Sequence, residues 1–549
     1  MPKDYIHIGR ATELSNPSDR RLYRLLEILP GFLAWLTLAL LIIFSKFAPV
    51  FTAIFIIAFD IYWLIKTVYL SVHMRSSFNR MRAQIKQNWL EKLPGLVSDA
   101  PELRRAGWEN LYHLVILPMY NEPLSLVRES FVGLQNANYP LDKLIVVLAL
   151  EGRAGEQAQE TAREIEKEFG NQFFKFLVTT HPANIAGELA GKGSNETWAA
   201  REVKQKIIDP LTIPYERVVV SVFDIDTVVH RDFFACLTWH YVTSPRPLHS
   251  SFQPIPIFTN NIWEAPAFAR VFAFSTTFWQ MIQQARPEQL VTFSSQSISF
   301  KALVDVDFWQ VNVVSEDSRI FWQCLLYYDG DWRTVPMYFP VYMDANVAPT
   351  FWQTIKNQYK QIQRWHYGIE NNPYFLFGFL KNKAIPFKTK WSLSFTMIEK
   401  AHSSSTNALV IFLLGWLPLI LGGTAFSSSI LAYNLPRITS TIMNLAMIGL
   451  ITSAAISIFL LPPRPVHYGR YRVVWMALQW ILFPINFIFF GTVPALDAQT
   501  RLMLGKYMGF WVTPKERTKK ILPTQNDATP GSVPNAVSEA DTAPNENHS

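Results

Sequence analysis

The uncharged apolar stretches at 28–45, 438–463 and 473–496 constrain the fold of this chain most, because each is long enough to cross a bilayer, which takes roughly 20 helical residues. A fourth runs over 403–436, and a fifth over 50–70 is interrupted by Asp60 and Lys66. A carboxylate facing lipid is costly, so Asp60 is expected to face protein or water. The long middle region has the composition of a soluble domain. The chain is therefore expected to be a multi-pass protein of the plasma (inner) membrane that carries a cytosolic domain between its helices.

Charge supports this orientation. Lys3, Arg10, Arg20, Arg21 and Arg24 precede the first span, and Arg75, Arg80, Arg82 and Lys86 follow the second. This is the positive-inside pattern of a helical hairpin. The net charge of +7 thus reads as membrane anchoring, and no nucleic-acid partner is expected. No cleavable signal is expected, since polar residues precede the first span and no small-residue cleavage site follows it. Cys236 and Cys324 are the only cysteines, which excludes a disulfide framework.

Composition divides the chain into a cytosolic segment (1–24), a transmembrane hairpin (25–72), a cytosolic domain (73–350) and amphipathic interface helices (351–402). A transmembrane bundle (403–496), a basic cytosolic segment (497–520) and a tail (521–549) follow. The tail is rich in Pro, Asn, Ser and Asp and cannot bury a core. Within the middle region, strand-like runs at 114–117, 144–150, 174–178 and 217–223 alternate with helical patterns, which predicts an α/β domain with a mostly parallel sheet. Ligands of such sheets bind beyond the carboxyl ends of the strands.

Those ends carry the chemistry. The first run leads into Pro118, Tyr120, Asn121 and Glu122, the second into Glu151 and Arg153, and the fourth into Asp224 and Asp226. Two carboxylates at i and i+2 can converge on a hard cation such as Mg²⁺, although Asp-x-Asp is also common in solvated turns. Glu316 and Asp317 open a helical pattern, where acidic residues also suit the macrodipole. Gln361, Arg364 and Trp365 lie on an amphipathic helical pattern suited to a membrane surface.

In this order, Pro-x-Tyr-Asn-Glu, Lys192 and Asn195 in Gly-Lys-Gly-Ser-Asn, Asp-x-Asp, Glu316-Asp317 and Gln-x-x-Arg-Trp resemble the processive membrane-bound family 2 glycosyltransferases, the cellulose and hyaluronan synthases. The resemblance covers about residues 110–370. Beyond the bundle, Phe510, Val512, Thr513 and Lys515 are similar to the gating loop of cellulose synthases.

The resemblance implies a GT-A-like nucleotide-sugar domain that transfers a sugar from a nucleotide-diphosphate donor to a polysaccharide or lipid-linked acceptor by metal-dependent inverting displacement. Tyr120, Glu122 and Glu151 would lie near base and ribose, and Lys192, Asn195, Asp224, Gln361, Arg364, Thr513 and Lys515 would also bind the donor. Asp226 would hold Mg²⁺ or Mn²⁺, Glu316 and Trp365 would face the acceptor, and Asp317 would be the general base. The family's Asp-Asp pair after the second strand is replaced by Leu150 and Glu151. The competing reading is a transporter or channel with a nucleotide-binding domain, which needs charged or broken helices along a path.

One expectation is in tension with another. Two spans before the domain and three after it put the tail outside, whereas Arg501, Lys506, Lys515, Arg517, Lys519 and Lys520 argue for the cytosol. A cytosolic tail is expected, with the parity restored either in 403–436 or by a helix pair broken near Pro484.

Overall fold

The computed structural model describes residues 4–104 and 107–514. Eight strands form one sheet: β1 (Tyr112–Met119), β2 (Leu144–Glu151), β3 (Lys175–His181), β4 (Val218–Val222), β5 (Val228–Val229), β6 (Ser250–Ile257), β7 (Ser297–Ser299) and β8 (Arg333–Tyr342). Their order is β3-β2-β1-β4-β7-β6-β8-β5. The half from β3 to β4 is parallel throughout, as its apolar runs predict. Beyond β4 the sheet is mixed, because β7 runs antiparallel to both its neighbours.

Both faces of the sheet are covered, so successive residues of one strand enter different cores. In β1, Val115 and Leu117 join the core beneath the helix Leu124–Gln135, and Leu114 and Ile116 join the core on the opposite face. Burial of both faces is why these strands read as near-continuous apolar runs. The chain is thus an α/β domain set between long apolar helices.

By length and composition four helices can cross a membrane: Pro17–Phe47, Pro49–Ile85, Ile430–Phe459 and Arg472–Met503. A fifth span arises if Phe387–Phe412 and Leu414–Leu421, bent by 50° at their junction, count as one. The expected boundary at 402 therefore falls inside a continuous helix. Asp60 is 2% exposed and lies near Thr439 of the helix Ile430–Ala446, so it faces protein.

Contacts along Arg472–Met503 tie this helix to the rest of the molecule. Near its start, Arg472 donates to the Trp263 carbonyl at 3.5 Å, and Asn486 in its middle donates to the Phe268 carbonyl at 2.8 Å. Toward its end Asp497 accepts from Tyr359 at 3.1 Å, and the Leu502 carbonyl accepts from Arg24 at 2.9 Å. All four partners outside the helix belong to the α/β domain, the adjoining helix or the amino-terminal entry to the first apolar helix. The helix is thus tied to neighbouring elements near its start, in its middle and toward its end, while remaining long and apolar enough to cross a membrane. The helix changes pitch around Pro484, through a tighter turn at Gln479–Leu482 and a wider one at Phe487–Thr492.

Candidate active site

One pocket lies beyond the carboxyl ends of β1, β2, β4 and β8. Its walls include Tyr120, Glu122, Glu151, Lys192, Asn195, Asp224, Asp226, Asp317, Gln361, Arg364, Trp365 and Thr513. Every site residue named from the sequence is there except two. Glu316 is buried behind the wall, at 2% exposure, and Lys515 lies outside the described residues.

At the end of the pocket formed by β1 and β2, the Tyr120 backbone N–H donates to Glu122 Oε2 at 2.8 Å, which fixes the turn leaving β1. Arg153, one turn beyond β2, ion-pairs with Glu151 and lies 5.0 Å over the Tyr120 ring. Asn195 donates to the Ala149 carbonyl at 2.8 Å, so its amide ties the helix Lys192–Val203 to β2.

At the centre stands Lys192. Its ammonium lies 2.8 Å from Asp317, 3.0 Å from Asp224, 3.4 Å from Glu196 and 3.8 Å from Glu316. Burial alone would depress its pKa, but the four carboxylates outweigh burial and raise it. The carboxylates divide in turn. Burial, reinforced by Asp317, pushes Glu316 up to about 8 against the pull of Lys192 and Arg364. Burial likewise raises Glu196 well above the usual range. Glu316 therefore retains its proton near neutral pH, and of the four carboxylates Asp224 and Asp317 line the pocket. Glu196 was not legible as a site residue, because in the sequence it is one more acid inside a helix.

Asp317 does not cap its own helix, Glu316–Tyr327; its side chain accepts from Lys192 instead. Its backbone carbonyl accepts from Thr292 at 2.6 Å and Gln296 at 3.0 Å, both in the loop before β7. The entry to this helix is fixed from behind. Glu370 accepts from the backbone N–H groups of Val314 and Ser315 at 2.8 and 2.9 Å, and buried Arg319 donates to Gln310 at 2.9 Å and to the Ile8 carbonyl at 3.1 Å. Glu370 closes the turn Tyr367–Glu370 that continues the helix Phe351–His366 presenting Gln361, Arg364 and Trp365, so the two motifs are mechanically joined.

Asp226 is 2% exposed, and its Oδ2 accepts from the Asp344 backbone N–H at 3.2 Å. Asp344, just past β8, also lines the pocket. These are hard oxygen donors from two strand ends, a set that fits Mg²⁺ or Mn²⁺. The tightest acidic group among the described residues is a different one, Glu196, Glu316 and Asp317, and Lys192 already meets its charge.

The far wall is aromatic. Trp365 has Phe293, Phe258 and Phe272 at 5.9, 6.2 and 6.2 Å between ring centroids. Over the opening, Phe510 lies 4.6 Å beneath the Arg364 guanidinium and packs against Gly191 so closely that a Cβ there would stand 2.5 Å from its ring. Thr513 is buried and its hydroxyl has no hydrogen-bond partner among the described residues.

No family model and no curated relative matches the sequence. Among solved structures, the chain is similar to the mannosyltransferase PcManGT from Pyrobaculum calidifontis in complex with GDP-Man and Mn²⁺. The TM-score is 0.41 at 13% identity, over 82% of this chain and 100% of that one. It is also similar to S. aureus TarS 1–349 in complex with UDP-GlcNAc, with a TM-score of 0.35 at 11% identity, over 72% of this chain and 93% of that one. Scores this low do not define a shared fold, and the functional reading stands on the chain's own residues.

Proposed function

We propose that the protein is a membrane-embedded, GT-A-like glycosyltransferase of family 2 that moves a sugar from a nucleotide-diphosphate donor to an acceptor with inversion at the anomeric carbon. The observation that carries this reading is the convergence of strand-end carboxylates, a guanidinium and an aromatic wall on one pocket. Tyr120, Glu122 and Glu151 hold the nucleoside, with Arg153 stacked beside them. Arg364, whose planar fork matches phosphate oxygens, takes the diphosphate. Asp226 and Asp344 would hold Mg²⁺ or Mn²⁺, which would offset charge on the leaving diphosphate.

Asp317 is the general base. Lys192 occupies its Oδ1, and the acceptor hydroxyl gives its proton to the other oxygen. Lys192 acts as a positioning residue that holds the Asp317 carboxylate in place. Glu316 and Trp365 shape the acceptor side. The catalytic domain faces the cytosol, in line with the basic residues flanking the hairpin.

The test is direct: full-length protein purified in detergent is incubated with a panel of nucleotide sugars and Mg²⁺ or Mn²⁺, and released nucleotide is measured. Turnover with at least one donor is expected, and should disappear on chelation. Neither turnover nor binding of any donor would overturn the proposal and favour a transporter.

A further inference from the structure

A second cavity opens on the same helix as the Gln-x-x-Arg-Trp motif. It is a groove of about 830 Å³ between Phe351–His366 and the segment Arg472–Met503. Phe351, Ile355, Ile485 and Phe489 give it apolar walls, and three of the four are more than half exposed, an arrangement that suits an acyl or prenyl chain better than water.

The rim is charged in one sense. Lys356 and Lys360 border the groove, and neither forms an ion pair with a carboxylate among the described residues; Lys360 instead lies 5.3 Å over the Trp511 ring. The one acid in the groove, Asp497, is already engaged by Arg501 at 2.9 Å and by Tyr359 at 3.1 Å. Lys356, Lys360 and Arg364 follow one another at i, i+4 and i+8, so they form a ladder along one face of the helix, spanning about 12 Å. Its last rung is in the donor pocket.

We infer that this groove seats the acceptor: a membrane lipid whose chain lies along the apolar walls and whose phosphate rests on Lys356 and Lys360. The inference rests on the transferase reading above and names its acceptor class. A headgroup hydroxyl next to that phosphate then reaches Asp317. The hydroxyl proton passes to the Asp317 carboxylate, the oxygen bonds to the anomeric carbon, and the nucleoside diphosphate leaves with the electron pair of the broken bond.

The probes are dodecyl phosphate, dodecanol and inorganic phosphate, each titrated calorimetrically into full-length protein in an uncharged maltoside detergent, with nucleotide-sugar binding measured on the same samples. Wild type should bind dodecyl phosphate more tightly than either of the others. The double variant Lys356→Gln, Lys360→Gln should lose about tenfold or more of that affinity with donor binding unchanged, since charge-assisted contacts are removed without loss of shape. Ile355→Trp, which fills the groove and leaves the lysines, should weaken dodecyl phosphate and spare inorganic phosphate. Equal binding of dodecyl phosphate by wild type and the double variant, or inorganic phosphate binding as tightly as the lipid, overturns the groove assignment. Binding of dodecyl phosphate with no donor bound by any sample overturns the acceptor role and the transferase reading, while the groove stands as a lipid site.

Discussion

Two walls of the pocket are built by opposite means. The strand-end wall is held by charge: Lys192 is almost fully buried amid four carboxylates, on a helix locked to β2 by Asn195. The wall formed by residues 505–514 has no helix or strand and is held by contact. Phe510 rests on Gly191 and Arg364, and Tyr507 donates to Glu27 at 2.9 Å while Arg10 lies 4.9 Å over its ring. The amino-terminal segment therefore clamps the carboxy-terminal one. A buried charge cluster is rigid and costly to disturb, whereas a segment seated by a few ring contacts can lift and reseat. The comparison assigns chemistry to the first wall and access to the second.

Removing the cation from the rigid wall should have the largest effect on stability. Lys192→Met leaves the carboxylates without their counter-charge, and breaking a buried pair from one side costs about 3–5 kcal/mol. A thermal midpoint close to wild type in the variant would mean that the cluster is solvated and that the two walls do not differ in kind.

The wall held by contact should fail differently. In Gly191→Ala the new methyl displaces Phe510, so turnover and apparent donor affinity should fall together, by on the order of ten- to a hundredfold, with little change in thermal stability. A kinetic profile identical to wild type would reduce the Phe510 contact to packing.

The smallest effect is a pH dependence confined to the charged wall. Glu316 titrates near 8 in the folded protein and near 4.5 as an isolated side chain, so the native state holds a proton that the unfolded chain has released. Its contribution to stability is therefore greatest at low pH, declines as pH rises from about 4.5 through 8, and levels off above. Glu316→Gln should flatten that decline only in part, since Glu196 shifts in the same direction. Thermal midpoints from pH 6 to 9 that run parallel in wild type and variant would contradict this.

The part of the fold legible in the sequence was the part with a single physical signature. β1, β2 and β4 are buried on both faces and read as uninterrupted apolar runs. β6 is just as buried, yet Pro254 and Pro256 and its Ser and Gln residues hide it; the sheet accepts Pro254 through a shift of register between Gln253 and Ile255. Without β6 and β8 in view, Asp344 had no strand end to mark it. Arg153 read more readily as a surface residue, because its pairing with Glu151 and Tyr120 depends on a turn that spacing does not specify. The apolar stretch 473–496 is the long apolar helix Arg472–Met503, whereas its ties to Trp263 and Arg24 were not legible, because such long-range contacts leave no periodicity in the sequence.

The central claim is that one carboxylate of the rigid wall takes a proton and another holds the cation. Asp317→Asn keeps the shape of the side chain and cannot accept a proton, so transfer should fall by on the order of 10²- to 10⁴-fold. Donor affinity, measured by calorimetry on the same protein with Mg²⁺ or Mn²⁺ present, should stay near wild type in that variant and weaken in Asp226→Asn. Retention of most of the turnover by Asp317→Asn, or a loss of donor binding as deep as that of Asp226→Asn, would contradict the assignment.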